Sequence, residues 1–218
     1  MKKYILILLT LVSLVSCGDI KNDDIVKSYY EDGTIKSELK YNEGHLDGEC
    51  WWYYPNGKPQ LKITYTNDTL NGEAMRWYDN GNIESKYFLK NDQYEGAFEK
   101  YNVYGILVKK EHYKEGVLHG ELRQWYDSGK IFVEGQYEEG MFHGRWVIYY
   151  EYGSIGSTAV YEYGSGVQHG YSPDGTLITE IHFRDNVKHG NEIRYNIDGS
   201  VDEVLIWEEG EFVKKIEK

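Results

Sequence analysis

Cysteine is almost missing from this chain: among 218 residues only Cys17 and Cys50 carry a thiol. With Cys17 committed to a lipid, as argued below, Cys50 is the one free thiol and no intrachain disulfide can form. Basic charge is also short. Lys and Arg number 24 against 36 Asp and Glu, a formal net charge of −12, and loss of Lys2 and Lys3 with a leader peptide takes it to about −14. Such a surface is repelled by nucleic-acid phosphates and by anionic lipid headgroups, so no nucleic-acid partner is expected. The 3.6-residue apolar period of a helix is absent beyond the leader. No phosphate-cradling glycine loop runs from a strand into a helix, and no serine elbow or Cys/His motif occurs. The expectation is a protein that is not an enzyme and holds no cofactor and no metal.

Glycine is what the chain has in abundance, and its spacing is regular. Gly33, Gly57, Gly81, Gly105, Gly129 and Gly153 stand 24 residues apart, Gly175 follows after 22, and Gly199 after another 24. A second series, Gly48, Gly72, Gly96, Gly120, Gly144, Gly170 and Gly190, falls between them. Self-similarity at this period means a repeat array. The first series ends turn-forming tripeptides such as Pro55-Asn56-Gly57 and Asp79-Asn80-Gly81, which signal hairpins because glycine accepts positive φ without steric cost. A further column reads Gly44, Asp68, Asp92, Gly116, Gly140, Gly166, Asn186 and Gly210, all residues that tolerate the left-handed region. Each unit therefore reads as a β-hairpin. Joined in sequence, the hairpins predict an all-β fold of tandem repeats in one elongated, twisted antiparallel sheet.

Three hydrophobic columns are taken to define a face of that sheet. The first is Tyr53, Trp77, Tyr101, Trp125, Tyr149, Tyr171 and Tyr195. The second lies two residues past each turn glycine: Ile35, Pro59, Ile83, Leu107, Ile131, Ile155, Leu177 and Val201. The third is Tyr41, Tyr65, Leu89, Tyr113, Tyr137, Tyr163, Phe183 and Trp207. Cys50 shares a column with Ala74, Phe98, Leu122 and Trp146, and reads as a small hydrophobe. About eight units are expected over residues 29–213, with a short tail at 214–218. The interval around residues 154–170 departs from the period and marks a candidate hinge, with a kink, bulge or register change.

The unit resembles the MORN repeat, in particular its bacterial variant built on Tyr-Tyr-x-x-Gly-x-φ…Tyr-x-x-Gly-x-φ-x-Gly, with φ apolar. Residues 29–48, 49–72, 121–144 and 191–213 show it best. Proteins of this variant are often labelled antitoxin components of toxin–antitoxin systems, so the resemblance implies a neutralising role as one alternative.

Met1-Lys2-Lys3 followed by the apolar run from Tyr4 to Val15 suits a secretory leader and is too short to span a bilayer. It ends in Leu14-Val15-Ser16-Cys17-Gly18, which is similar to the bacterial lipobox. Residues 1–16 are thus expected to be removed and Cys17 lipid-modified. Residues 17–28 are read as an acidic, flexible tether. The implied location is the bacterial cell envelope, at the outer membrane or cell surface, with membrane contact through the lipid alone.

His119, His143, His169 and His189 precede repeat glycines. Equivalent positions lie two strands apart, about 10 Å, so these histidines are expected to form a row of turn residues and not a zinc site. The aromatic positions are the candidate binding surface: Trp51, Trp52, Tyr53, Trp77, Tyr101, Trp125 and Tyr149. Trp51 and Trp52, being adjacent on a strand, point to opposite faces. The expected function is a lipid-anchored, non-catalytic scaffold for an unidentified protein partner. The alternatives are an antitoxin-like neutraliser and a carbohydrate-binding lipoprotein.

Overall fold

The computed structural model describes residues 24–216. The leader, Cys17 and most of the tether lie outside the described residues, as do 217 and 218. Nineteen strands follow one another: β1 (Asp24–Tyr29), β2 (Ile35–Asn42), β3 (His45–Leu46), β4 (Gly48–Tyr53), β5 (Pro59–Thr66), β6 (Thr69–Trp77), β7 (Ile83–Lys90), β8 (Gln93–Tyr94), β9 (Gly96–Tyr101) and β10 (Leu107–Lys114). The second half comprises β11 (Val117–Trp125), β12 (Ile131–Glu138), β13 (Met141–Tyr149), β14 (Ile155–Glu162), β15 (Ser165–Tyr171), β16 (Leu177–Arg184), β17 (Val187–Tyr195), β18 (Val201–Glu208) and β19 (Glu211–Ile216). Each pairs antiparallel with its sequence neighbours from β1–β2 to β18–β19, β3 and β8 being short pieces of the return strands β4 and β9. The result is one elongated, uncurled meander, as the glycine periods predict. Two boundaries differ from expectation. Asp24–Tyr29 is already a strand, paired along β2, so the tether ends before residue 24. The last strand runs to Ile216, into the segment read as a tail.

Two kinds of turn alternate along the sheet edges. The first kind carries the 24-residue glycines. The Tyr54 N–H donates to the Lys58 carbonyl at 2.9 Å and the Gly57 N–H to the Tyr54 carbonyl at 2.9 Å, with Gly57 at φ +76°. Such a three-residue loop needs a left-handed third residue. A one-residue bulge follows on the outgoing strand, as between Arg76 and Trp77 against β7. The second kind is a two-residue turn with positive φ at both residues, for example Asn67 (45°) and Asp68 (62°), or Glu139 (50°) and Gly140 (80°). That pattern matches the right-handed twist of the flanking strands.

Behind the second turns from β2 to β13, and again at β16–β17, the return strand carries two extra residues, while β19 carries one. Ile63 faces Ala74 and Tyr65 faces Leu70, so Thr64 alone stands opposite Asn71, Gly72 and Glu73. Gly72 is required there: its φ is +140°, and a Cβ would meet Thr64 at 2.7 Å. The β14–β15 hairpin is the exception, pairing without a shift from Ser157↔Gly170 to Glu162↔Ser165. Around 154–170, where a kink, bulge or register change is expected, the ladder of this hairpin runs unshifted. This hairpin lacks the two-residue bulge, and that loss is why Gly175 follows Gly153 after 22 residues. Two assignments move with it. The left-handed turn residue is Gly164 (φ +77°), not Gly166, and Gly170 has no positive φ, unlike Gly144 and Gly190. Asn186 closes the gap: its side chain accepts from the Phe142 N–H at 2.8 Å and donates to the Gly140 carbonyl at 2.9 Å, while its own N–H donates to Gly164 O at 3.1 Å.

The hydrophobic columns do not share one face. The bulge after each first turn inverts the alternation, so Ile83 joins Trp77 while Leu89 lies on the opposite side. That opposite side is the core. Cys50, Ile63, Tyr65, Ala74 and Leu89 form a buried cluster, with Leu46, Trp52, Leu70, Tyr87 and Tyr94 packed against it. Cys50 is 0% exposed, and burial pushes its thiol pKa up. Rings continue the packing along the array: Tyr87–Phe98 at 5.5 Å, Phe142–Trp146 at 4.8 Å, and Tyr161–Phe183 at 5.7 Å. Two carboxylates are buried on this face. Glu111 is held by Lys109 at 2.6 Å and the Tyr113 hydroxyl at 2.7 Å, and Glu192 by Lys188 at 2.7 Å and Arg194 at 2.8 Å. Burial works against ionisation of Glu192, but the Lys188 and Arg194 hydrogen bonds outweigh it and keep its pKa below the ordinary value.

Two outcomes test this fold. No atom lies within 4 Å of a Cβ at Gly129, whose φ is +79°, so Gly129→Val meets backbone strain alone; a loss of about 1–3 kcal/mol in urea unfolding is expected. A depressed carboxyl pKa contributes stability that is present above the unfolded value and lost as pH falls through the folded one. The Glu192→Gln variant should therefore show a flatter fall in urea midpoint than wild type from about pH 5 to about pH 3.

Candidate binding face

On the face opposite the core, the first two columns merge into one band. Each aromatic residue at the end of a return strand stands directly opposite the aliphatic residue that opens the next strand. The pairs are Tyr29↔Ile35, Tyr53↔Pro59, Trp77↔Ile83, Tyr101↔Leu107, Trp125↔Ile131, Tyr149↔Ile155, Tyr171↔Leu177 and Tyr195↔Val201. Aromatic–aliphatic cross-strand pairs contribute about 0.2–1 kcal/mol each. Apart from Tyr29 and Ile155, which are more exposed, the members are half-buried. Trp51 belongs to this face and stacks on Trp77 at 5.8 Å and on Tyr53 at 6.4 Å, with Lys62 also 5.8 Å from its ring. Trp52 points to the core side and packs against the buried cluster. Of the seven candidate binding residues, six therefore share one face and Trp52 is separated from them.

A charged row runs beside the band over the first half of the sheet. Lys27 meets Glu38 at 2.6 Å, Lys62 meets Glu73 at 2.9 Å, Lys110 meets Glu99 at 2.8 Å, and Arg123 meets Glu134 at 3.6 Å. The band's hydroxyls join it: Tyr53 donates to Glu38 at 2.7 Å, Tyr101 to Glu99 at 2.8 Å, and Tyr149 to Glu134 at 3.1 Å. Lys27 first, then the Tyr53 hydroxyl, hold the Glu38 carboxyl below its usual range, while burial and then Glu38 push Tyr53 up to about 12. The cations beside Glu38, Glu73 and Glu99 hold all three carboxyls below their usual range, the wrong direction for a general acid. From β13 onward the row is mixed, with apolar Val147, Ile193 and Val204 in register with Thr158, His169 and Glu180.

His119, His143 and His189 lie along the second-turn side, whereas His169 stands in the row beside the band between Thr158 and Glu180; each has its own neighbour. His119 is 3.8 Å from Glu138, His169 is 3.6 Å from Glu180, and His189 is 3.5 Å from Glu209, while His143 stacks near Tyr163 at 5.0 Å. Among the described residues no group of three or more His, Cys, Asp or Glu is placed to hold a metal ion, and no catalytic constellation is assembled.

One feature was missed in the sequence. A tyrosine opens five of the first turns, and its hydroxyl donates to a backbone carbonyl of the following repeat: Tyr30 to Tyr53, Tyr54 to Trp77, Tyr78 to Tyr101, Tyr126 to Tyr149 and Tyr150 to Tyr171, at 2.6–2.9 Å. Their recurrence at the second tyrosine of the Tyr-Tyr-x-x-Gly pattern was the available signal.

Comparison with known families bears on this same unit. Residues 25–43, 46–67, 70–91 and 118–139 match the MORN repeat variant. This part of the chain is an array of MORN-like repeats. Each matched segment encloses a first turn and its tyrosine, Tyr30, Tyr54, Tyr78 or Tyr126, and the last three run from one second turn to the next. Three of the four unmatched units have Asn102, Ser172 or Asn196 in that place, yet keep the same strand pairing. No curated protein matches the chain.

The MORN-like tyrosine is testable alone. Tyr78→Phe keeps the ring and removes the donor, and should lower stability by about 0.5–1.5 kcal/mol in urea unfolding.

Proposed function

We propose that this chain is a non-catalytic scaffold that binds a protein partner through its aromatic–aliphatic band. The supporting observation is the band itself, eight cross-strand pairs long, largely half-buried, and lying on a sheet face that no second layer of the described residues covers. An apolar strip bordered by fixed charges fits a protein surface, with the strip for affinity and the rim for register. Stacking of Trp51 between Tyr53 and Trp77 engages its ring with neighbours, which favours a protein contact over a sugar platform. The leader and the lipobox-like Leu14–Gly18 segment support a lipid anchor at Cys17 in the bacterial envelope, at the outer membrane or cell surface. An antitoxin-like neutraliser would use the same band and differs only in the identity of its partner.

The full-length chain, tagged and solubilised in detergent, should retain one dominant protein from its own envelope extract at near one-to-one ratio by quantitative mass spectrometry. Replacing Trp51 and Trp77 together by Ala should lower that recovery by at least about tenfold, as expected for anchors worth more than 1 kcal/mol. Recovery of glycan in place of protein, or capture unchanged by the substitutions, would sink this assignment.

A further inference from the structure

The first-turn tyrosine is replaced in three hairpins, and the three places differ. At Asn102 the side-chain amide donates to the Asp127 carboxylate at 2.9 Å. At Asn196 no further first turn follows among the described residues. At Ser172 there is a cavity of about 280 Å³ lined by Ser172, Pro173, Asp174, Thr176, Ile178 and Ile197.

That cavity has a counterpart earlier in the array, a depression lined by Tyr54, Pro55, Asn56, Tyr78 and Asp79. Ser172, Pro173, Asp174 and Ile197 stand where Tyr54, Pro55, Asn56 and Asp79 do. The difference is that Thr176 and Ile178 now face the opening. Elsewhere the residue in the Ile178 position lies against the tyrosine ring: Lys36 Nζ is 5.8 Å from the Tyr30 centroid, and Phe132 is 4.9 Å from Tyr126. A Cβ built on Gly156, the same position again, would meet the Tyr150 ring at 3.2 Å. Ile178 thus lines the space that a phenol ring fills in other repeats. Ser172 does not fill it, because its hydroxyl turns back into its own loop, donating to Asp174 and approaching Thr176 O at 3.2 Å. The carbonyl equivalent to the tyrosine acceptors is that of Tyr195, and no tyrosine hydroxyl among the described residues reaches it.

We infer that the Ser172 slot takes a phenol ring from outside the chain, presented as the tyrosine side chain of a partner protein. The ring packs on Pro173, Ile178 and Ile197, and its hydroxyl donates to the Tyr195 carbonyl, as five tyrosines of this chain do one repeat onward. A volume near the small end of ligand sites, about 300 Å³, suits a single ring. The partner form of this site rests on the scaffold reading, whereas occupancy by a phenol does not, so a small probe separates the two.

The probe is p-cresol, titrated into the full-length protein in detergent with isotope-labelled isoleucine methyl groups and followed by NMR. Saturable shifts of the Ile178 and Ile197 methyls are expected. Toluene, which lacks the donor, should bind at least about twofold more weakly, the least expected for one lost hydrogen bond. Ser172→Tyr should abolish p-cresol binding and raise the thermal midpoint, and Ile178→Ala should weaken binding several-fold with the fold intact. Absence of shifts at both methyls, equal binding of toluene, or undiminished binding to Ser172→Tyr would each overturn the site without touching the band on the other face.

Discussion

A sheet with no second layer has only one direction in which to bury side chains, along its own surface from strand to strand. Among the described residues the interior is therefore a set of rows, each residue covered by those to its left and right and by none from above. Cys50, Ile63, Ala74 and Tyr87 follow one another across consecutive ladders, small residues alternating with large ones so that each large side chain leans over a small neighbour. The buried cluster around them is made this way. Everything else serves that lateral contact. Turns must hold consecutive strands at ladder spacing, tyrosine hydroxyls tie one first turn to the next repeat, and second-turn amides reach back to the preceding hairpin, as Asp92 N does to Leu70 O at 3.0 Å.

Much of this was legible because backbone geometry restricts residue type more sharply than packing does. Positive φ admits few side chains, so a column of Gly, Asn and Asp announces a turn whatever surrounds it. The errors arose where counting failed. Loss of two residues from β15 shifted the sequence frame, so Gly166 and Gly170 were aligned with residues whose conformation they do not share. The bulge behind each first turn inverted the alternation, so columns that looked like one face proved to be two. Trp52 is a separate case, placed on the core side by ordinary alternation with Trp51 along β4.

The buried acids were a different kind of omission. Glu111 stands in the column of Ile63, Tyr87, Ala159 and Ile181, and Glu192 in that of Cys50, Ala74, Leu122 and Trp146. Each interrupts an otherwise apolar series, a visible signal. Both are answered by cations two or four residues away on the same face, and Glu111 by a hydroxyl as well. A charge placed there is tolerated because the open sheet leaves room for its partners to lie across it and reach water with their far ends. The band on the other face was readable as aromatic positions, but its continuity with the aliphatic column depends on ladder register and could not be read from spacing alone.

The 24-residue unit is one complete out-and-back passage of the chain, and this has a consequence for how such a protein changes over generations. Unequal recombination that duplicates or removes one unit adds or subtracts two strands, about 10 Å of length, while returning the chain to the same edge in the same direction and every side chain to its former face. Length can thus drift without disturbing chemistry, like a tape cut only at its marks. The β14–β15 hairpin is the place where that freedom ends. Its missing pair of residues and the Asn186 clasp over three turns make it non-interchangeable with its neighbours, a fixed joint in a ruler whose other segments are free to multiply.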